Sequence, residues 1–202
     1  GMSGDVDIGP DVDDALFAAA FELAAEGGWR RARIVDIAAR AGVSADQATA
    51  RFRCKVSLLN SFAARVDAAV ETAAGGGEDL TPRDRLFDLL MARFDAMTPH
   101  RAGIVAILRA LPTMPLTTIA GGPNLLTAMR ATLTLADIGH DGVAGILRTK
   151  GLAAVYLRAL RTWLDDDSAD LSATMKALDR GLARAQEIAL SIGLARPATA
   201  SE

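Results

Sequence analysis

Aromatic residues are scarce in this chain, with six Phe, two Trp and one Tyr among 202 residues. Sheet proteins draw on aromatic and β-branched side chains, so this Ala- and Leu-rich composition argues against a sandwich or barrel and for helices. A single cysteine, Cys54, excludes a disulfide framework and any multi-cysteine metal site. The only two histidines, His100 and His140, lie 40 residues apart and form no ligand motif, so no metal is expected. No apolar run reaches the roughly 18 uncharged residues of a membrane helix, and no membrane partner is expected. The acidic N-terminus lacks a basic lead into an apolar stretch, so no signal peptide is expected, and Gly1-Met2 reads as a tag remnant. There is no phosphate loop and no triad, and His100 beside Arg101 has no nucleophile or second base at useful spacing. No enzyme, catalytic residue or cofactor is therefore expected. Half the residues are hydrophobic and 23% are charged, the balance of an ordinary globular, cytoplasmic protein.

The net charge of −3 is unevenly distributed. Residues 1–27 carry seven acidic side chains and no basic one. Residues 28–55 carry Arg30, Arg31, Arg33, Arg40, Arg51, Arg53 and Lys55 against only Asp36 and Asp46. A compact basic segment in an acidic protein suggests an anion-binding face; the plainer alternative is a solvated helix surface.

The apolar spacing predicts an all-α chain. Residues 11–26 form a helix opened by Asp11, Asp13 and Asp14 and stopped by Gly27-Gly28. Helices follow over 34–41, 45–52, 57–74, 81–97, 100–111, 124–138 and 142–165, with a last one from about Ser168. Pro112, Pro115, Gly121, Gly122 and Pro123 predict an irregular stretch between two of them. In the last helix, Leu171, Met175, Leu178, Leu182, Ala185, Ala189 and Ile192 alternate at intervals of four and three, a coiled-coil-like seam suited to a homodimer. The expected division is a head over 1–55, a body over 56–195 and a disordered tail over 196–202.

Within the head, residues 34–52 have helix–turn–helix spacing. Gly42 permits the left-handed turn, Val43 plugs the angle between the helices, and Ser44 caps the second helix. Such a second helix enters the major groove with its first residues at base edges.

Residues 19–44, from Ala-Ala-Phe-Glu-Leu-Ala-Ala-Glu-Gly-Gly-Trp to Ile37-Ala38-Ala39-Arg40-Ala41-Gly42-Val43-Ser44, resemble the N-terminal domain of tetracycline-repressor (TetR) family regulators. The register holds through Phe52 and Lys55. The resemblance implies an all-α regulator of about nine helices, with a helix–turn–helix head and a helical ligand-binding body. It also implies a homodimer through the last two helices, and repression of a double-stranded DNA operator relieved by a small effector. Several positions depart from the family pattern: Arg33 replaces a usual threonine, Gln47 another threonine, Thr49 the usual tyrosine and Arg51 the usual histidine, whereas Lys55 is kept. Ser44, Gln47 and Thr49 are placed at the recognition helix, Gln47 and Thr49 as base-edge readers. Arg33, Arg51 and Lys55 are the phosphate candidates, with Arg53 as further charge.

In the body, Phe87, Met91, Phe94, Met129, Tyr156 and Trp163 are expected to line a cavity for a small apolar effector, because Met and aromatic side chains surround apolar ligands well. The segment Gly151 to Tyr156, with Trp163 and Asp165 to Leu171, resembles the C-terminal region of the coenzyme Q biosynthesis lipid-binding protein. That resemblance implies an alternative: a lipid-binding accessory protein of TetR fold that does not bind DNA. Cys54, between Arg53 and Lys55, is either a redox-sensitive thiol or a bystander.

Overall fold

The computed structural model describes residues 10–76, 79–113 and 115–195, with backbone only at residues 10, 11, 113 and 115–121. The acidic residues of the first nine positions, Met114 and the tail over 196–202 lie outside the described residues. The described chain is helical throughout, with no strand. Its helices are α1 (Pro10–Ala25), α2 (Ile34–Ala41), α3 (Ala45–Arg51), α4 (Lys55–Ala74), α5 (Pro82–Met97), α6 (Arg101–Ala110), α7 (Pro115–Leu135), α8 (Gly142–Trp163) and α9 (Ser172–Ser191). Short 3-10 turns over Thr98–His100 and Leu111–Thr113 flank α6.

The chain forms two compact units. One comprises residues up to Arg65 together with Met97–Thr117, and the other comprises Val66–Ala96 with Thr118 onward. The unit holding the helix–turn–helix therefore also contains α6, beyond the residues assigned to a head from sequence. Its core grows from the α1 stripe Leu16, Phe17, Ala20 and Phe21, all buried. Phe17 meets Phe52 at 5.9 Å and Phe62 at 5.5 Å between ring centroids, and Phe21 meets Phe62 edge-on at 4.7 Å. Such pairs add about 1 kcal/mol beyond the area they bury. At Gly103, α6 approaches α1 so closely that a Cβ there would lie 2.3 Å from the Phe21 carbonyl oxygen.

The second unit is a helical body with Leu89, Leu90, Phe94, Met129, Leu152, Tyr156, Trp163, Leu178 and Leu182 buried in its core. Its last two helices pair closely: a Cβ on Gly181 would meet Val155 Cγ1 at 2.9 Å. The turn between them is organised by Asp166. Its carboxylate accepts hydrogen bonds from the Thr174 backbone N–H at 2.9 Å, the Thr174 hydroxyl at 2.6 Å and the Ser168 backbone N–H at 3.1 Å, and from the Ser168 hydroxyl. These donors hold the Asp166 carboxyl at a pKa of about 2 against the opposing effect of burial.

One expectation is corrected. The Pro- and Gly-rich stretch expected to be irregular up to Pro123 is helical from Pro115, and Pro123 lies inside α7. Proline is well tolerated at the first helical position, where its missing N–H has no intrahelical partner. An interior proline removes one backbone hydrogen bond and leaves the rest of the ladder able to form. Reading each Pro and Gly as a stop misplaced the start of this helix by nine residues.

Candidate nucleic-acid interface

α2 and α3 carry their own terminators. Gly42 ends α2 with φ of 69°, the left-handed region, and Val43 N–H reaches back to the Ala38 carbonyl at 3.0 Å. Ser44 then caps α3: its hydroxyl accepts from Gln47 N–H at 3.2 Å, while Gln47 Oε1 accepts from the Ser44 hydroxyl at 3.1 Å and from its backbone N–H at 3.4 Å. This is a reciprocal capping box. Ile34, Ile37, Ala38 and Ala48 are buried, which fixes the pair of helices against the core.

The geometry assigns distinct tasks to the sequence-predicted residues. Ser44 and Thr49 are exposed and Gln47 is half-buried at the start and middle of α3. Thr49 turns its hydroxyl onto the Ala45 carbonyl at 2.8 Å. Gln47 spends its side-chain oxygen on the cap, and no bond of its amide nitrogen is part of that cap. Arg33 is exposed at the start of α2; its backbone N–H donates to Asp36 Oδ2 at 2.8 Å, which lowers the Asp36 pKa, and its guanidinium lies 3.5 Å from the same carboxylate.

Arg51 and Lys55, two of the phosphate candidates, make contacts within the head. Arg51 donates to both oxygens of Asp13 on α1, through Nε at 2.8 Å and Nη2 at 2.5 Å. Lys55 directs its ammonium onto the Trp29 carbonyl, lies 3.4 Å from the Arg30 carbonyl, and sits 4.8 Å from the Trp29 ring centroid. Burial lowers the Lys55 pKa. Both cations therefore brace the head. Arg30, Arg31 and Arg53 are exposed and make no ion pair among the described residues. The basic run in the sequence held Arg30 and Arg31, but nothing in its spacing separated cations that brace from cations that face water. Cys54 is exposed and precedes α4; its N–H donates to Ser57 Oγ at 3.2 Å, and this box lowers the thiol pKa.

The predicted ligand residues gather in the body. Phe94 stacks on Tyr156 with centroids 5.2 Å apart and tilts against Trp163 at 6.1 Å. Met91, Phe94, Met129, Tyr156 and Trp163 are buried and Phe87 is half-buried. Burial raises the Tyr156 pKa to about 12, so its phenol is neutral. A pocket of about 120 Å³ opens elsewhere in this unit, among Ala73, Ala74, Gly76, Leu80, Arg85, Asp88, Leu89 and Leu135, and includes none of the six. No group of three or more His, Cys, Asp or Glu side chains able to hold a metal occurs among the described residues. No helix among them is long and apolar enough to cross a membrane.

Residues 16–62 match the family model described as bacterial regulatory proteins, tetR family. The chain carries a TetR-family N-terminal domain. The rest of the molecule agrees with that head. A TetR transcriptional regulator from Nitrosomonas europaea superposes with a TM-score of 0.71 at 27% identity, over 87% of this chain and 98% of that one. A transcriptional regulator from Rhodococcus sp. RHA1 gives 0.59 at 21% identity, over 87% and 96%. Thermus thermophilus FadR, a TetR-family repressor solved with lauroyl-CoA, gives 0.53 at 16% identity, over 94% and 99%. No curated protein sequence matches the chain. The fold is that of TetR-family transcriptional regulators.

Proposed function

We propose that this TetR-family protein is a cytoplasmic, homodimeric DNA-binding repressor, not an enzyme, released from its operator by a small apolar effector held in the helical body. The observation that carries the reading is the helix–turn–helix of α2 and α3, closed by the left-handed Gly42 and the Ser44–Gln47 box inside the family-matched segment. A dimer would present two copies of α3 to successive major grooves and read an approximate palindrome. Arg30, Arg31, Arg33 and Arg53 are exposed and would supply charge for phosphates, and Gln47 and Thr49 on α3 would read bases. The neighbour seen with lauroyl-CoA supports an effector with an apolar chain.

A second reading, a lipid-binding protein of this fold without DNA, draws support from the Arg51–Asp13 and Lys55–Trp29 contacts, which engage two expected phosphate cations internally. Genomic-fragment selection with the purified protein at several salt concentrations separates the readings. Enrichment of a palindrome whose binding weakens with salt supports the repressor. Absence of any enriched sequence, with isoprenoid lipid co-purifying, supports the second reading.

A further inference from the structure

Inside the body, one charged pair is only half satisfied. Arg93 on α5 has a side chain only 9% exposed, and its Nη2 lies 2.8 Å from Asp67 Oδ1 on α4. The Arg93 Nε–H is buried without a hydrogen-bond partner, and Asp67 Oδ1 is buried without a well-aligned donor. Arg93 is the buried partner, while the Asp67 side chain is half-exposed, and a buried polar atom left unmatched costs about 1–3 kcal/mol. Nearly all buried polar atoms in folded proteins find a hydrogen-bond partner, so these two call for one. Arg93 directly precedes Phe94 on α5, and Phe94 stacks on Tyr156. Arg93 thus neighbours in sequence a residue of the aromatic cluster expected to meet an effector. Arg93 also lies one helical turn along α5 from Leu89, which lines the 120 Å³ pocket.

We infer that Arg93 and Asp67 form the polar anchor of the effector, and that they select an uncharged headgroup able to accept one hydrogen bond and donate another: a hydroxyl or a carboxamide on an apolar chain. This rests on the reading of the body as an effector site. The guanidinium is a rigid fork, so Nε lies within about 5 Å of Asp67 Oδ1, a span that one hydroxyl oxygen bridges by accepting from Arg93 and donating to Asp67. A carboxylate accepts from Arg93 but has no proton for Asp67 and meets a like charge there. The pair is therefore a filter against fatty-acid anions of the same chain length. The apolar chain would run along the pocket side of α5, where the helices must part to admit more than a few atoms.

Isothermal titration of the full-length protein with 1-octanol, octanamide and octanoate tests this, alongside Asp67→Asn and the Asp67→Asn/Arg93→Met double variant. Octanol and octanamide are expected to bind at least tenfold more tightly than octanoate. Asp67→Asn, which removes the like charge at a half-exposed side chain, is expected to raise octanoate affinity at least tenfold. The double variant is expected to level the three compounds to within about twofold. If the double variant does not fold, the octanoate gain in Asp67→Asn decides alone. Binding of all three compounds without preference, or an unchanged octanoate affinity in Asp67→Asn, overturns the anchor and leaves the effector site standing. No binding of any compound to the native protein overturns the effector site and the anchor with it. A crystal structure of the octanol complex with the hydroxyl away from Arg93 and an ordered water bridging the two side chains also overturns the anchor.

Discussion

Single residues here hold two kinds of place, and charge alone does not distinguish them. Asp166 accepts four hydrogen bonds in the turn between α8 and α9 and its pKa falls to about 2. An unfolded Asp titrates near 3.9. Because the folded value is lower, the stabilisation is fully present above pH 4 and is lost as pH falls from about 4 to 2. Asp166→Ala is expected to cost about 2–3 kcal/mol at pH 7, the range for hydrogen bonds to a charged acceptor. Urea midpoints measured from pH 7 to pH 2.5 should show native protein and variant converging in the acid. A gap that does not narrow between pH 4 and pH 2.5 would mean that the carboxylate is not the source. At the DNA face, Gln47→Ala is expected to lower α3 stability modestly, through loss of half the capping box, and to change operator preference. Arg30→Ala and Arg31→Ala should weaken binding to all sequences alike and flatten its salt dependence. Titrating operator and scrambled duplexes at two salt concentrations distinguishes the two behaviours.

At the scale of the helix, the sequence was legible wherever a local rule decides the outcome. α2 ends where Gly42 stands and α3 begins after Ser44, because a left-handed turn and a side-chain cap are set by residues within one turn of each other. The TetR-like register through Phe52 followed from the same features. The Arg51–Asp13 and Arg93–Asp67 pairs were not legible, since their partners are 38 and 26 residues apart and meet only through packing. The start of α7 was missed because proline reads as a break unless its helical position is known. Two glycines allow the packing of the helices to be tested directly. A Cβ at Gly103 meets the α1 backbone at Phe21, which cannot rotate away, so Gly103→Ala should cost several kcal/mol. A Cβ at Gly181 meets the Val155 side chain rather than backbone, so Gly181→Ala should cost less than Gly103→Ala. Thermal melts of the two variants check the order; equal costs would contradict a tight α1–α6 crossing. Gly42→Ala, placing a Cβ at a φ of 69°, should cost about 1–2 kcal/mol by the same assay.

For the molecule as a whole, the open question is what covers α8 and α9. The seam along α9 is divided: Leu171, Leu178 and Leu182 are buried within the chain, whereas Met175 and Ile192 face outward. Ile188 is exposed beside them, and on α8 so are Val143, at 75% exposure, Ile146, Leu147 and Leu157. Exposed apolar side chains of this size and number mark an interaction surface. Burying the exposed part of each contributes about 1 kcal/mol, so together they can exceed the several kcal/mol lost on association. A second copy offers the same stripe, and the predicted homodimer would close it. The native protein is therefore expected to sediment at twice 21.1 kDa at micromolar concentration. Val143→Asp combined with Leu147→Asp places two like charges of each copy on that surface and should weaken dimerisation at least 100-fold. The helical circular dichroism spectrum should be unchanged, because both positions are already solvated within one chain. Operator binding should fall with the dimer, since one head reads only half a palindrome. Sedimentation at 21.1 kDa for the native protein, or a double variant that remains dimeric, would show that these helices are not the interface.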